Sequence, residues 1–195
     1  MGDKTVDHPK WMAENIADSA RVIAGLQAQL PTIEAIGAAI TQALLTGHKL
    51  LTAGNGGSAA EAMHLAQELT GRYSRSDRRA LPALCLAADP TALTCIANDW
   101  DFNTVFARQV EAFAAPGDVL AVFSSSGNSE NLIRACQQMR SRGGKTIGLL
   151  GKGGGRNLAV CDLAVVVNSS RTAPVQEAHQ VILHLILDFV ECHCT

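Results

Sequence analysis

His64 and Glu68 stand four residues apart in a helical stretch, which sets an imidazole and a carboxylate on one face. Such a pair can hold a divalent ion, move a proton, or remain a solvated helix pair. Just upstream runs Gly54-Asn55-Gly56-Gly57-Ser58, with Ser58 opening the helix. Glycine allows positive φ and close approach of a ligand to the backbone. The helix start adds unpaired N–H groups and a positive dipole end. A third candidate, His184, interrupts the apolar run Val181–Leu187. A lone buried histidine is ordinarily a satisfied core group, but here a second helix offers a histidine and a carboxylate, so the two helices are judged together. Histidine with carboxylate suits zinc or another first-row divalent ion. Gln176 lies eight residues before His184, a rise of roughly 12 Å. One ion reaches both only if Gln176 sits at an irregular helix start, if long side chains lean together, or if a second subunit supplies one of them.

Ser124-Ser125-Ser126-Gly127-Asn128-Ser129 follows an apolar strand and precedes a helix. Its hydroxyls, its amide and the helix start could ring an anion such as a phosphate without a fixed positive charge; a plain serine-rich surface turn is the alternative. It is no Walker loop, because no Lys–hydroxyl pair follows the glycines, and Gly54–Gly57 does not complete the dinucleotide spacing. The basic stretch Gly71–Arg79 reads as a solvated connector, or as cations near an acidic substrate.

The elements that must position these groups follow from periodicity. Two helices, Trp11–Leu30 and Pro31–Thr46, form an arm or cap. Strands are expected at Lys49–Ala53, Leu81–Ala87, Asp118–Phe123, Lys145–Leu150 and Cys161–Val167. Between them lie helices from Ser58, from Asp89-Pro90 (Asp as N-cap, Pro at the first helical position), over Phe102–Phe113 and up to Arg140. A glycine-rich loop spans Gly151–Gly155, and a final helix runs from Pro174 to about Cys192. Alternation of strand and helix predicts an α/β fold: a doubly wound, flavodoxin-like parallel sheet flanked by helices, with two N-terminal helices. Ligands of such sheets bind beyond the carboxyl ends of the strands at the switch point, where both marked loops can meet. No repeat or linker divides the chain, so a single domain over 1–195 is expected, with a helical arm at 1–47 and an α/β core at 48–195.

With 47% hydrophobic and 17% charged residues and a net charge of −2, the chain reads as compact, with no basic field calling for nucleic acid or anionic membrane. No leader and no apolar run of spanning length is seen, so a cytoplasmic protein is expected. The six cysteines lie scattered in apolar segments and read as reduced core thiols. Cys192-His193-Cys194 resembles a metal tract, but it sits where chains fray.

Ala53 to His64, Glu68-Leu69-Thr70-Gly71-Arg72, Ala97-Asn98-Asp99, Ser124–Ser129, Val175–His179 and His184 together resemble the sugar-isomerase (SIS) domain of bacterial phosphoheptose isomerases. The similarity covers nearly the whole chain. It implies an SIS-type fold and conversion of sedoheptulose 7-phosphate to D-glycero-D-manno-heptose 7-phosphate, toward heptose for lipopolysaccharide or other glycoconjugates. It implies zinc on His64, Glu68, Gln176 and His184. Substrate contacts would fall on Asn55, Gly56, Gly57, Ser58, Glu68, Asn98, Asp99, Ser124, Ser125, Ser126, Ser129 and Gln176. It also implies a homotetramer with active sites at subunit interfaces. Ketose–aldose isomerisation through an enediol needs a base, an acid and a stabiliser of the enediolate oxygen; Glu68 is expected as base and His184 as acid. Ser125 departs from the threonine frequent at that place, as does Ala173-Pro174 from the polar or charged residue common there. The alternatives are a non-catalytic SIS adapter binding the replication initiator, whose kind lose the acid/base residues, and an isomerase of another sugar phosphate. A sugar-sensing regulator is disfavoured, because no helix-turn-helix segment precedes the sheet.

Overall fold

The computed structural model describes residues 8–194, so the first seven residues and Thr195 of the expected domain lie outside the described residues. Helix α1 (His8–Ala24) and a 3-10 turn at Gly25–Gln29 lead into α2 (Leu30–Leu45). The core then alternates: β1 (Leu50–Gly54), α3 (Gly57–Thr70), β2 (Ala83–Cys85), α4 (Pro90–Asp99), α5 (Val105–Phe113), β3 (Val119–Ser124), α6 (Glu130–Ser141), β4 (Lys145–Leu150), α7 (Gly155–Leu158), β5 (Leu163–Val166) and α8 (Thr172–His193). All five strands are parallel, in the order β2-β1-β3-β4-β5. The chain leaves β1 for one edge and returns to pair β3 on its other side. The switch point therefore falls between β1 and β3, and their carboxyl ends carry the two marked loops.

Every residue of β1 and β3 is buried, as a strand covered on both faces requires. Alternate side chains serve two cores. Leu50 and Phe123 pack with Ile36, Ile40, Leu65, Leu69, Ile182 and Ile186, beneath α2, α3 and α8. Leu51, Leu120 and Val122 pack with Phe106, Val110, Leu132 and Met139, beneath α5 and α6. Helix α4 rests on this second face through Leu93 and Ile96. Its start is capped as its sequence predicts: Asp89 Oδ1 accepts from Thr91 N (2.8 Å) and Ala92 N (3.1 Å).

Several boundaries differ from expectation. Helix Trp11–Leu30 is broken by the 3-10 turn at Gly25. Lys49 lies outside β1; its backbone N–H and its ammonium both bind the buried Asp118. Strand Leu81–Ala87 shrinks to Ala83–Cys85, because Leu81 N donates to Leu69 O at the end of α3 and Pro82 has no N–H to give. Strand Cys161–Val167 narrows to Leu163–Val166, since the Asp162 carboxylate takes the Thr146 N–H and hydroxyl. Helix Phe102–Phe113 opens as a 3-10 turn, and the loop at Gly151–Gly155 runs into α7. Through the tract Cys192-His193-Cys194 the described chain stays ordered on α8, which continues to His193; the His193 ring N–H donates to Phe189 O, and Cys194 is buried while Cys192 is exposed.

Candidate active site

Helices α3 and α8 lie side by side on one face of the sheet and set their polar residues against each other. His64 Nε2 stands 3.4 Å from Glu68 Oε1, one turn on, and His64 Nδ1 stands 2.9 Å from Gln180 Oε1 on α8. The His184 ring meets His64 edge-on, with centroids 5.2 Å apart. The structure thus brings His64, Glu68 and His184 into one neighbourhood within a single chain. All three are only partly buried, so a ligand can reach them. Tyr73 stacks on the other side of His184 at 5.8 Å. Its hydroxyl pKa is raised, first by burial and then by the neighbouring Asp188 carboxylate.

Gln176 is not at an irregular helix start: it lies in the second turn of α8 and faces the beginning of α3. Its Nε2 is 3.5 Å from Ser58 Oγ, and a Cβ on Gly57 would stand 2.5 Å from that same nitrogen. The Gln176 amide thus lies directly against the first residue of α3. Along α3 this is roughly 9 Å of helix before His64, so Gln176 and the histidines occupy different ends of one groove. It is Gln180, one turn closer, that touches His64.

The anion cradle adjoins this end. Gly56 takes φ +55 and no side chain caps α3; Ser58 N and Ala59 N donate to Asn55 O and Gly56 O, which closes the glycine turn on the helix start. Asn55 and the buried Asn131 exchange two amide hydrogen bonds, 3.0 and 2.9 Å, pinning the glycine turn to the start of α6. In the serine loop, Ser124 Oγ accepts from Gly127 N and Ser126 Oγ from Asn128 N, which folds the loop on itself. Gly127, at φ +66, lies so close to Gly154 that a Cβ would come within 2.3 Å of its carbonyl oxygen. The hydroxyls of Ser125 and Ser129 make no hydrogen bond to protein among the described residues, and Ser129 does not cap α6. Gly151 packs against Ser125 O and Val175, so the loop reaches the first turns of α8 beside Gln176.

Asn98 and Asp99 are exposed at the end of α4, which packs on the opposite face of the sheet. They bond to each other, and Asp99 also takes Cys95; neither is joined to α3 or α8. In the basic loop, Arg78 is a structural cation. It pairs with buried Glu191 (3.0 Å) and donates to Glu68 O and Leu69 O, while Glu191 also accepts from Ser74 N and Arg75 N. Arg75 pairs with Asp77, and Arg79 donates to Leu44 O. The solvated-connector reading holds for Arg75 and Arg79, and Arg78 serves the loop rather than a ligand.

The fit of a metal is tested by the His64–Glu68 pair. Two ligands about 2.1 Å from a tetrahedral zinc are roughly 3.4 Å apart, the spacing seen here. His184 is adjacent by ring contact rather than aimed at a shared point. Among the described residues no group of three or more His, Cys, Asp or Glu closes around one point. The donor set fits zinc in kind, and at its His64–Glu68 edge in spacing.

Known proteins with this sequence and architecture identify its family. The family model described as SIS domain matches residues 14–151. The phosphoheptose isomerase of a Nitratiruptor species is 51% identical over 150 residues, covering 77% of this chain and 80% of that protein. That of Pelobacter propionicus is 49% identical over 161 residues, covering 83% and 85%. Among solved structures, the phosphoheptose isomerase GmhA from Neisseria gonorrhoeae superposes with a TM-score of 0.87 at 37% identity, covering 94% of this chain and 98% of that one. A phosphoheptose isomerase from Francisella tularensis gives 0.92 at 28% identity, covering 96% and 100%. The chain belongs to the phosphoheptose isomerases of the SIS-domain family. It is a sugar-phosphate isomerase. The family's SIS-type sheet and long leading helices are those described above.

Sequence reasoning missed several residues of this phosphoheptose isomerase site. Gln180 sits on the same four-residue interval as Gln176 and His184, and that interval was the available signal. Asn131, Tyr73 and Asp188 gave none, because their roles depend on which remote segment lies opposite. A second histidine–carboxylate pair was also missed: His179 Nδ1 donates to Glu61 Oε2 at 3.4 Å in the interior between α8 and α3.

Proposed function

We propose that the chain interconverts sedoheptulose 7-phosphate and D-glycero-D-manno-heptose 7-phosphate, supplying heptose for lipopolysaccharide or other glycoconjugates. The observation that carries this reading is the convergence of Glu68, His64 and His184 in a groove whose other end adjoins a hydroxyl-lined loop. The phosphate would lie on the α6 start, taking Ser125 and Ser129 hydroxyls, with the sugar running along the α3–α8 groove past Gln176. Glu68 removes the proton from C1 of the ketose, and His184 protonates the C2 oxygen, giving an enediol. Glu68 returns its proton to C2 while His184, left neutral by the first step, takes the C1 hydroxyl proton, and the aldose forms with both groups restored. The uncharged hydroxyls and amides of Ser58 and Gln176 steady the intermediate's oxygens. His64, Glu68 and His184 would hold zinc, with Gln176 completing the set only when supplied by a second subunit, and the metal would supply Lewis-acid polarisation of the carbonyl.

A cytoplasmic site of action and a homotetramer are part of the same proposal. Apolar side chains left exposed on the helical arm and its neighbours (Trp11, Ile16, Leu30, Met63, Leu185) support burial against further copies. No helix among the described residues is long and apolar enough to cross a membrane. Metal analysis joined to a sedoheptulose 7-phosphate assay, before and after chelation, tests the reading. One zinc per site and activity lost on chelation and regained on zinc addition are expected. Preference for a C5 or C6 ketose phosphate would move the substrate elsewhere; neither metal nor isomerisation would favour the adapter. Light scattering checks the tetramer.

A further inference from the structure

His64 has two ring nitrogens with different neighbours. Nδ1 faces Gln180 Oε1 at 2.9 Å, and Nε2 faces Glu68 Oε1 at 3.4 Å. Both neighbours are acceptors, yet a neutral imidazole carries one N–H. The shorter contact favours Nδ1–H; with the proton there, Nε2 turns a bare lone pair toward the Glu68 carboxylate. Glu68 Oε1 also accepts from Gln67 Nε2 at 2.6 Å, and a cation between the ring nitrogen and the carboxylate would offset their remaining repulsion. A metal-bound histidine ordinarily donates its other N–H to an oxygen that fixes ring and tautomer. Without Gln180 the preference reverses: Glu68 becomes the remaining acceptor, Nε2 takes the proton, and the lone pair points away from the carboxylate.

Gln180 is placed for this role by its position in α8. It lies one turn after Gln176 and one turn before His184, on the face that meets α3. It is half-buried. We infer that Gln180 is a positioning residue that holds His64 in the Nδ1–H tautomer, presenting Nε2 for ligation beside Glu68. The inference rests on the reading of His64 as a metal ligand, and it concerns a side chain that the ligand set above does not include.

The test uses the full-length protein stripped of metal, at a pH where the ring is neutral. Nitrogen-15 chemical shifts of the imidazole, assigned by their loss in His64→Asn, report the tautomer directly. The native protein should show Nδ1–H. Gln180→Leu, similar in volume, should shift His64 toward Nε2–H, weaken zinc binding about tenfold and lower kcat with little change in KM. Gln180→Glu, which keeps the acceptor, should restore the Nδ1–H signature. Thermal melting of each variant checks that the fold is retained. If Gln180→Leu keeps the Nδ1–H tautomer and native zinc affinity, the inference is overturned, whatever the activity. If instead the tautomer and zinc affinity respond while sedoheptulose 7-phosphate is not turned over, the inference stands and the proposed reaction falls.

Discussion

Among the described residues are two histidine–glutamate pairs with the same separation and opposite surroundings. His64 and Glu68 lie 3.4 Å apart with side chains 32% and 16% exposed; His179 and Glu61 lie 3.4 Å apart with 0% and 4% exposed. The first pair shares one helix and opens on the groove. The second bridges α8 and α3 beneath it, with the His179 ring edge-on to Phe123 at 6.0 Å. There Glu61 Oε1 and His179 Nε2 have no partner and no contact with solvent. Chemistry needs a pair that substrate can touch and that tolerates gaining and losing protons. Enclosure makes the second pair a tether between α8 and α3, the helix that carries the first. Access, not residue type or distance, separates the two pairs.

The sharpest attack on that contrast is Glu68→Gln. It should cost about a thousandfold in kcat, the size of a lost general base, with the melting temperature nearly unchanged. Full turnover in a folded Glu68→Gln protein would sink the assignment.

Next in size is the interior pair. His179→Leu alone strands a buried carboxylate and should destabilise by about 3 kcal/mol. The double change His179→Leu with Glu61→Met should cost less than either single change, because no unpaired polar group remains. A double variant as unstable as the sum of the singles would show that the two side chains do not act as a pair.

Glu191 sharpens the comparison as a buried carboxylate whose partners are complete. Burial pushes its pKa up, but Arg78 and the N–H groups of Arg75 and Ser74 outweigh that and leave it lowered. A lowered carboxylate contributes stability above its unfolded pKa and loses it as pH falls through the folded value. Glu191→Gln should therefore melt well below the native protein at neutral pH. The gap should close as pH drops through and below the ordinary carboxylate range. A gap independent of pH would contradict the charge-based account.

Smallest is Ser129→Ala, expected to raise KM for the sugar phosphate a few-fold while kcat and stability hold, the loss of one hydrogen bond to a charged group. An unchanged KM would remove that hydroxyl from the phosphate cradle.

Much of the fold was legible because burial on both faces of a parallel sheet writes unbroken apolar runs. Lys145–Leu150 matches to the residue, and β3 is displaced by only one. Boundaries slipped where a side chain or a proline displaced a ladder bond, as at Asp162 and Pro82. Within the site, the His64–Glu68 face was legible from helical spacing. The convergence of His184 was an expectation that the packing of α8 on α3 met. Gln176 was assigned alongside the histidines, yet regular helix carries it to Gly57 and Ser58, and Gln180 takes the contact with His64. Asn98 and Asp99 lie at the end of α4, which packs on the other face of the sheet.

The sequence by itself determined the elements, their alternation, the glycine and serine turns at the strand ends, and the one-helix pair of His64 and Glu68. These are local properties, set by backbone conformation and by a period of four residues. The tertiary structure decided which amides meet across helices, which histidine is open and which enclosed, and which arginine is bound by a buried carboxylate. Those outcomes depend on the relative placement of segments more than a hundred residues apart, as with His64 and Gln180, fixed by the packing of a shared core.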